Sequence, residues 1–428
     1  MPFLKTQPII SYLAANNLKP RLISFSTMSQ SKNYTGPLII IGILFFCFGF
    51  VTWVNGTLIA FFKSSLQLTN TQSLLVTFAF FISYFVMAIP SSWVLKKTGF
   101  KNGMSLGLFI MAVGAILFVP AANAQSYELF LLGLFLIGTG LALLQTASNP
   151  YATILGPRES AAQRISILGV ANKTAGIIAQ YVFGAILLGT SATVEANPLQ
   201  KVVTPYLIIS IVLVILAVLI RFSTLPEVSE EEEGEAANLN SNKSSVWQFP
   251  SLVLGVLALF FYVGAEVIAG DTIINYGVSK GFPIEEAKLF GTYTLYAMLV
   301  GYVAGILFIP KSLSQQTALR LSAISGIVFT AAAVLTNGFT SVLCVALLGL
   351  SNALVWPAVW PLALNGLGKF TKIGSAMLIM AIAGGAVLPL IYGQLADRFN
   401  TQQAYWFMGV CYLYILYYAL VGHKKLNW

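Results

Sequence analysis

The sequence predicts an all-α polytopic membrane protein in which twelve transmembrane helices form two six-helix bundles. Of its 428 residues, 57% are hydrophobic and only 9% are charged, whereas an ordinary soluble domain carries about 25% charged residues. Apolar runs long enough for a membrane helix, which needs about 20 residues, recur evenly along the chain. One long polar break, residues 226–246, separates six of these runs from the other six.

The predicted spans are bounded by charged residues or by clusters of Gly, Pro and Asn. We number them span 1 to span 12 in chain order and predict them at 37–62, 72–95, 103–122, 126–156, 163–190, 203–225, 247–278, 287–310, 317–337, 340–367, 371–397 and 402–422. The chain then consists of an N-terminal tail, an N-terminal bundle, a linker, a C-terminal bundle and a C-terminal tail, at 1–36, 37–225, 226–246, 247–422 and 423–428.

The linker and the N-terminal tail are predicted to lie outside the membrane. The linker contains the acidic run Glu230–Glu233, whose like charges repel one another and favour an extended, solvated segment. The tail before Ser31 has no clean apolar run and no small-residue cleavage site, so we do not interpret it as a signal peptide. Met28 is a second candidate for the start of translation.

The distribution of Lys and Arg predicts the orientation of the chain in the membrane. With the N-terminus in the cytoplasm, 17 of the 23 cations face the cytoplasm, five face the other side and one lies within span 5. Cytoplasmic loops normally carry such an excess of Lys and Arg. We therefore expect a protein of the cytoplasmic, or inner, membrane with both termini cytoplasmic. The net charge of +9 follows from this orientation, and no concentrated basic stripe indicates a nucleic-acid partner.

The inventory of reactive side chains excludes most enzyme chemistry. His423 is the single histidine, and Cys47, Cys344 and Cys411 are far apart in the chain. These residues cannot form a zinc site, a haem site, a His-based triad or a disulfide framework. We predict that the protein is not an enzyme and has no cofactor other than a possible coupling ion, Na⁺ or H⁺.

The two halves of the sequence repeat each other. Counting five residues back from Pro150 in span 4 and from Pro357 in span 10 reaches Gln145 and Asn352, two carboxamides at one repeat position. Such a repeat predicts two bundles that flank a central cavity. The other matches are Gly176 and Gly184 of span 5 with Gly385 and Gly393 of span 11, and Gly56 and Thr57 of span 1 with Asp271 and Thr272 of span 7.

One lysine lies deep within a predicted span. Lys173 is about ten residues inside span 5, or roughly 15 Å along the helix, which is too deep for its side chain to reach bulk water. Because a charged side chain at a helix centre costs about 2.5 to 3.5 kcal/mol, it needs an internal partner or a wet cavity. It could bind backbone carbonyls of a broken neighbouring helix, pair with an acid of span 7, or stand where a coupled cation would act.

Span 7 contains two acids, Glu266 and Asp271. They are five residues apart, about 140° around a regular helix, so a straight helix cannot direct both at one point. Gly264, Gly270 and Gly277 argue against a straight helix. Asp271 is expected to face the cavity, with a buried structural pair as the alternative, and both interpretations stay open for Glu266.

Four segments resemble one known transporter family. They are FGFVTWVNGTLIAFF in span 1, LLQTASNPYATILGP in span 4, YVGAE at 262–266 and KFTKIGSAMLIMAIAGGAVLPLIYG near the C-terminus. They are similar to the fucose:proton symporter family of the major facilitator superfamily, in particular its glucose/galactose branch, from about residue 38 to residue 422. The resemblance implies the major facilitator fold, a sugar cavity lined by spans 1, 4, 7 and 10, and no enzymatic activity.

The chain departs from that family at the acids that serve proton coupling. Proton-coupled members carry an Asp just after the span 1 asparagine and a Glu two residues before the span 4 alanine, where this chain has Gly56 and Gln145. Asn55 and Asn172 match the family pattern, and Glu266 stands where the family has Gln. Proton symport, sodium symport and facilitated diffusion all stay open.

Sugar recognition needs carboxamides that fork onto paired hydroxyls and aromatic faces for the apolar side of the ring. Trp356 and Trp360 share the helix face of Asn352 and could supply the aromatic faces. With the resemblance, this predicts a hexose transporter that works as a monomer in the lipid bilayer; an exporter of amphipathic molecules and a membrane-embedded enzyme or receptor are the alternatives. The candidate substrate ligands are Asn55, Gln145, Asn149, Asn172, Asn352, Trp356 and Trp360, and the candidate charge network is Lys173, Glu266 and Asp271.

Overall fold

The computed structural model describes residues 35–154, 161–189, 197–223, 225, 244–309 and 312–425. The N-terminal tail up to residue 34 and the linker residues 226–243 therefore lie outside the described part, as do the side chains of residues 149–163. All regular secondary structure in the described part is helical. Residues from Thr35 onward form one compact unit.

The N-terminal half contains the helices of spans 1 to 6. Its short additional helices are Asn70–Ser73 and the 3₁₀ helix Pro198–Val202. The spans are Thr35–Trp53 with Asn55–Ser65 (span 1), Leu75–Ile116 with Phe118–Ala124 (spans 2 and 3), Tyr127–Ile154 (span 4), Ala161–Leu187 (span 5) and Val203–Arg221 (span 6).

The C-terminal half contains spans 7 to 12. Its short additional helices are Ile284–Ala287, Thr401–Ala404 and the 3₁₀ helices Val246–Gln248, Gly368–Phe370 and Gly422–Lys424. The spans are Pro250–Asp271 with Ile273–Ser279 (span 7), Phe290–Phe308 (span 8), Gln315–Leu335 (span 9), Gly338–Ala353 with Val355–Leu364 (span 10), Thr371–Met380, Ala381–Ala383 and Gly384–Arg398 (span 11) and Trp406–Leu420 (span 12).

Eleven continuous helical segments of the described part are long and apolar enough to cross a membrane, and one of them accounts for two spans. The segment Leu75–Ala124 has 50 residues, about 75 Å at 1.5 Å per residue, whereas the hydrocarbon core is about 30 Å thick. Gly99 interrupts it with a φ of 75°, a left-handed conformation that glycine adopts readily. Leu95 packs directly over Gly103 across this turn. The predicted twelve spans are thereby confirmed.

The outer surface of the bundle is apolar, as expected for a protein that faces lipid. On span 6, Ile208, Ile211 and Leu219 are each more than half exposed, although a soluble protein would bury such a row. Polar side chains lie inside instead, among them Asn55 and Gln180, both about 1% exposed. A binding site for a polar ligand is therefore expected in the interior, among these polar groups.

Three spans that surround the centre have a one-residue break in their regular helix. In span 7 it falls at Thr272, between the helices Pro250–Asp271 and Ile273–Ser279, and in spans 1 and 10 it falls at Val54 and Leu354. All three residues keep right-handed helical dihedral angles, and the carbonyl of each accepts a hydrogen bond from the residue four positions later. The breaks are therefore local irregularities within otherwise continuous spans.

The two halves are joined at one end of the bundle by a group of hydrogen bonds that we call the latch, formed by Asn70, Thr71 and Asp397. The Asp397 carboxylate accepts bonds from the backbone N–H and side chain of Asn70 at 2.9 and 2.7 Å and from those of Thr71 at 2.9 and 2.6 Å. Asp397 thus caps the short helix that precedes span 2. The latch closes the end of the bundle at which span 1 ends and span 2 begins.

Candidate binding site

A cavity of about 160 Å³ lies between the two halves. It is bordered by the part of span 1 before the break at Val54 and by the part of span 7 before Thr272. It therefore lies on the side of these breaks that is opposite to the latch. The described residues that line it are Phe45, Phe48, Thr52, Trp53, Phe81, Tyr84, Gln145, Ile165, Gly169, Asn172, Lys173, Tyr262, Val263, Glu266, Val267, Asp271, Tyr302, Trp356 and Ile382.

A buried ion pair crosses the cavity from one half to the other. Lys173 Nζ donates to Glu266 Oε1 at 2.9 Å, and the two side chains are only 7% and 12% exposed. The ammonium also lies 4.1 Å from the centre of the Trp53 ring, in the geometry of a cation–π contact. Of the possibilities for Lys173, the structure shows pairing with a span 7 acid.

Asn172 is held in a fixed orientation beside this pair. The Trp53 indole Nε1–H donates to Asn172 Oδ1 at 3.2 Å, and Asn172 Nδ2 donates to the Phe45 carbonyl at 3.3 Å. Spans 1 and 5 approach this closely because Gly49 has no side chain to collide with the Asn172 backbone. The amide is therefore pre-oriented, which lowers the entropic cost of binding a ligand.

Gln145 projects into the cavity from span 4. Its Nε2 donates to the Tyr84 hydroxyl at 3.0 Å, which leaves the second amide hydrogen and the carbonyl lone pairs for a ligand. Trp356 lines the opposite wall and stacks on Trp360, with ring centres 5.3 Å apart and planes at 25°. The cavity thus offers carboxamides on one side and an indole face on the other.

Asp271 lies at the inner end of the cavity and is 3% exposed. Its carboxylate accepts no hydrogen bond from any residue in the described part of the chain. Glu266 lines the same cavity, and both acids lie in the single helix Pro250–Asp271. The expectation that a bend must separate them is therefore wrong, because the cavity extends far enough around span 7 to be bordered by both side chains. Gly56, which the repeat aligns with Asp271, also touches it: a Cβ on Gly56 would lie 3.3 Å from Asp271 Oδ1 and 3.2 Å from its Cα.

The structure brings most, but not all, of the predicted site residues together. Gln145, Asn172 and Trp356 line the cavity with the three charged residues. Asn352 does not; it is fully buried, and its Oδ1 accepts from the Tyr412 hydroxyl at 2.9 Å.

The remaining candidates have other positions. Asn55 is buried, with 1% of its surface exposed, and it does not line the cavity. Its Nδ2 has no hydrogen-bond partner among the described residues. Trp360 is behind Trp356 and half-buried. The side chain of Asn149 lies outside the described part. For these three and for Asn352, a role in substrate binding stays a prediction.

Sequence reasoning found Trp356 but missed the other aromatic side chains of the cavity. Trp53 contacts both Lys173 and Asn172, and Tyr84 orients Gln145. Neither could be recognised as a site residue in a chain that is 13% aromatic, because most aromatic side chains in membrane spans pack against other helices or lipid. The available signal was local: Trp53 stands two residues before Asn55 in a segment that carries the family resemblance.

A cavity that carries charged side chains between the two halves of a twelve-span helical bundle is typical of a membrane transport protein. The chain belongs to the Major Facilitator Superfamily, whose family model matches residues 41–386. The family resemblance found in the sequence is thus confirmed. Since the relatives below are named as transporters, the prediction that the protein is not an enzyme is confirmed as well.

Curated relatives extend over nearly the whole chain. A "Glucose/galactose transporter" of Brucella abortus is 37% identical over 407 residues, which cover 93% of this chain and 96% of the relative. A "Putative glucose/galactose transporter" of Helicobacter pylori is 31% identical over 89% of this chain and 95% of its own length. The "L-fucose-proton symporter" of Escherichia coli is 29% identical over 91% of this chain and 94% of its own.

Solved structures agree with this fold. A major facilitator superfamily transporter, FucP, in the outward conformation superposes with a TM-score of 0.70 at 27% identity, covering 90% of this chain and 98% of that one. A bacterial homologue of the lysosomal transporter Spinster, inward-facing and occupied, gives a TM-score of 0.60 at 16% identity, covering 90% and 94%. The second similarity concerns the fold alone.

Proposed function

We propose that the protein transports a hexose of the glucose or galactose type across the cytoplasmic membrane by alternating access. The observation that carries the proposal is the cavity between the halves, in which Gln145 and Asn172 present amide groups opposite the Trp356 ring. Amide groups can donate to and accept from neighbouring sugar hydroxyls, while an indole packs against the apolar face of the ring. The names of the relatives at 37% and 31% identity support the same substrate class.

The orientation predicted from Lys and Arg assigns a conformational state. With both termini in the cytoplasm, the cavity lies on the cytoplasmic side and the latch on the periplasmic side. With this orientation the structure is closed to the periplasm, in contrast to the outward conformation of FucP. Transport requires the latch to open and the cavity to close, as the halves rock about the level of Gly56 and Asp271.

Export of amphipathic compounds is a second candidate, favoured by one observation. Among the described residues, the lining contains eight aromatic side chains and two carboxamides, and a cavity rich in aromatic rings suits amphipathic ligands. The buried Lys173–Glu266 pair argues for a ligand with many hydroxyl groups instead, because hydroxyls can bond to both charged partners and a mostly apolar ligand would desolvate them.

Counterflow in proteoliposomes tests the proposal and separates the two candidates. Vesicles containing the purified protein are loaded with unlabelled glucose, galactose, fucose or mannose and diluted into labelled glucose. We expect transient accumulation with glucose or galactose inside, and none in protein-free vesicles. Absence of counterflow for all four sugars, together with protein-dependent movement of a lipophilic cation such as ethidium, would replace hexose transport with export.

A further inference from the structure

The charges that line the cavity do not cancel. Among the described lining residues there is one cation, Lys173, and there are two acids, Glu266 and Asp271. Lys173 is bound to Glu266 at 2.9 Å and lies over the Trp53 ring. With that pair neutral as a unit, one acid at membrane depth is left without a partner.

Among the described residues, the one group that stabilises a negative charge on Asp271 is Lys173, which acts on it through space and donates its hydrogen bond to Glu266 instead. Asp271 accepts no hydrogen bond from the described residues and is 3% exposed. It is also the last residue of the helix Pro250–Asp271 and is enclosed there by Gly56 of span 1. An isolated carboxylate at this depth is costly unless it is neutralised.

The groups that face Asp271 are few. The charged groups that act on it electrostatically are Glu266 of its own span and Lys173 of span 5. Span 1 faces it with Gly56, which does not titrate. The tyrosines that share its cavity, Tyr84, Tyr262 and Tyr302, are phenols that stay protonated over the physiological range in solution. Asp271 is therefore the acid here that is free to exchange a proton.

Asp271 also lies at the contact between the halves. On one side it borders the cavity, and on the other it packs against Gly56 of span 1. Gly270, the residue before Asp271, lies against the ring of Trp53, which is also on span 1. When the latch end opens, spans 1 and 7 must part at this contact, and Asp271 then faces the opposite compartment. A single carboxyl at this level is exposed to each side of the membrane in turn.

We propose that Asp271 binds and releases the coupling proton, which makes the protein a sugar:proton symporter whose coupling acid is on span 7. This inference rests on the proposed hexose transport. A proton from one compartment binds a carboxylate oxygen of Asp271 while the sugar binds in the cavity. The neutral acid packs against Gly56 as the contact forms, and the proton leaves to water on the other side. The contact forms readily only with the acid neutral, because no described residue donates a hydrogen bond to the carboxylate there.

The same geometry favours a proton over a sodium ion, and Asp271 over Glu266. A proton needs only the carboxyl group, whereas a metal cation needs several oxygen ligands around it. Glu266 is retained by Lys173 at 2.9 Å, so its charge is already balanced in every protonation state of Asp271.

Proton movement and sugar exchange can be measured separately. In lightly buffered proteoliposomes, sugar influx should draw protons from the outside, seen as alkalinisation with an external pH dye. An inwardly directed proton gradient should drive sugar above its equilibrium level. Asp271→Asn should reduce both by at least tenfold while counterflow, which moves no net proton, is still detectable. Glu285→Gln, which neutralises an exposed acid in the same half, should behave as the wild type.

Each result has one meaning. Wild-type hexose counterflow without sugar-linked proton movement, or accumulation driven by sodium and not by protons, would overturn the coupling proposal and leave hexose transport intact. Asp271→Asn with wild-type proton movement would overturn the choice of residue. If Asp271→Asn does not fold, Asp271→Glu, which keeps a carboxyl, must retain sugar-linked proton movement. Absence of wild-type counterflow for every hexose would instead reject the proposed function.

Discussion

Replacing Lys173 with alanine should destabilise the protein strongly, because it leaves Glu266 as a buried charge without its partner. Removing one member of a buried ion pair costs about 3 to 5 kcal/mol. Both side chains are at most 12% exposed, so water can restore little of this loss. The cation–π contact with Trp53 at 4.1 Å is lost as well, so we expect a loss of unfolding free energy above about 3 kcal/mol, the lower end of that range. A smaller cost would mean that water in the cavity already screens the pair.

Thermal and chemical denaturation of purified protein in detergent would measure the effect. Lys173→Ala should unfold well below the wild type, and adding Glu266→Gln should recover most of the loss, because the second change removes the stranded charge. Lys97→Ala, at an exposed lysine, is the matched control and should melt with the wild type. The reasoning is refuted if Lys173→Ala is as stable as the control, or if the double variant is no more stable than the single one.

Three further changes have distinct expected results. Gln145→Ala should weaken hexose binding at least tenfold in calorimetry. Asn352→Ala should instead lower the free energy of unfolding by about 1 to 3 kcal/mol, because it leaves the buried Tyr412 hydroxyl without its acceptor. Equal losses of binding in the two variants would place both side chains in the site. Asn275 lies beside Asn70 at the latch end of the bundle. Asp397→Ala should favour opening at the latch by about 1 kcal/mol, a roughly fivefold shift, detected as faster labelling of an Asn275→Cys variant by an impermeant maleimide; an unchanged rate would contradict a latch. Deleting residues 1–28 should leave uptake intact, and loss of folded protein would show that this tail docks on the bundle.

The fold was predictable from the sequence because membrane spans can be recognised by the length and apolar composition of their segments. The turn between spans 2 and 3 was placed correctly at 96–102, and the structure puts a left-handed glycine there, Gly99. The glycines of span 7 predicted a bend, whereas the structure has only the one-residue break at Thr272. Its position, after Asp271, depends on how span 1 packs against it, which no local pattern encodes.

The site was predictable only in part, because a repeat fixes sequence register but not the rotation of each helix about its axis. Gln145 and Asn352 occupy one repeat position, yet only Gln145 reaches the cavity, and Asn352 bonds to Tyr412 inside its own half. The partner of Lys173 could be narrowed to two acids, and packing of spans 5 and 7 selected Glu266 over Asp271.

The Lys173–Glu266 pair also has a consequence for how the chain enters the membrane. The two residues are 93 positions apart, so at about 5 to 20 residues per second of synthesis the lysine waits roughly 5 to 20 s for its partner. Span 5 has the lowest mean hydropathy of the candidate spans in the described part, and span 6 directly after it has the highest. Span 6 can therefore hold span 5 in the membrane as a helical hairpin. The N-terminal half reaches its final packing only after span 7 has been synthesised and Glu266 can pair with Lys173.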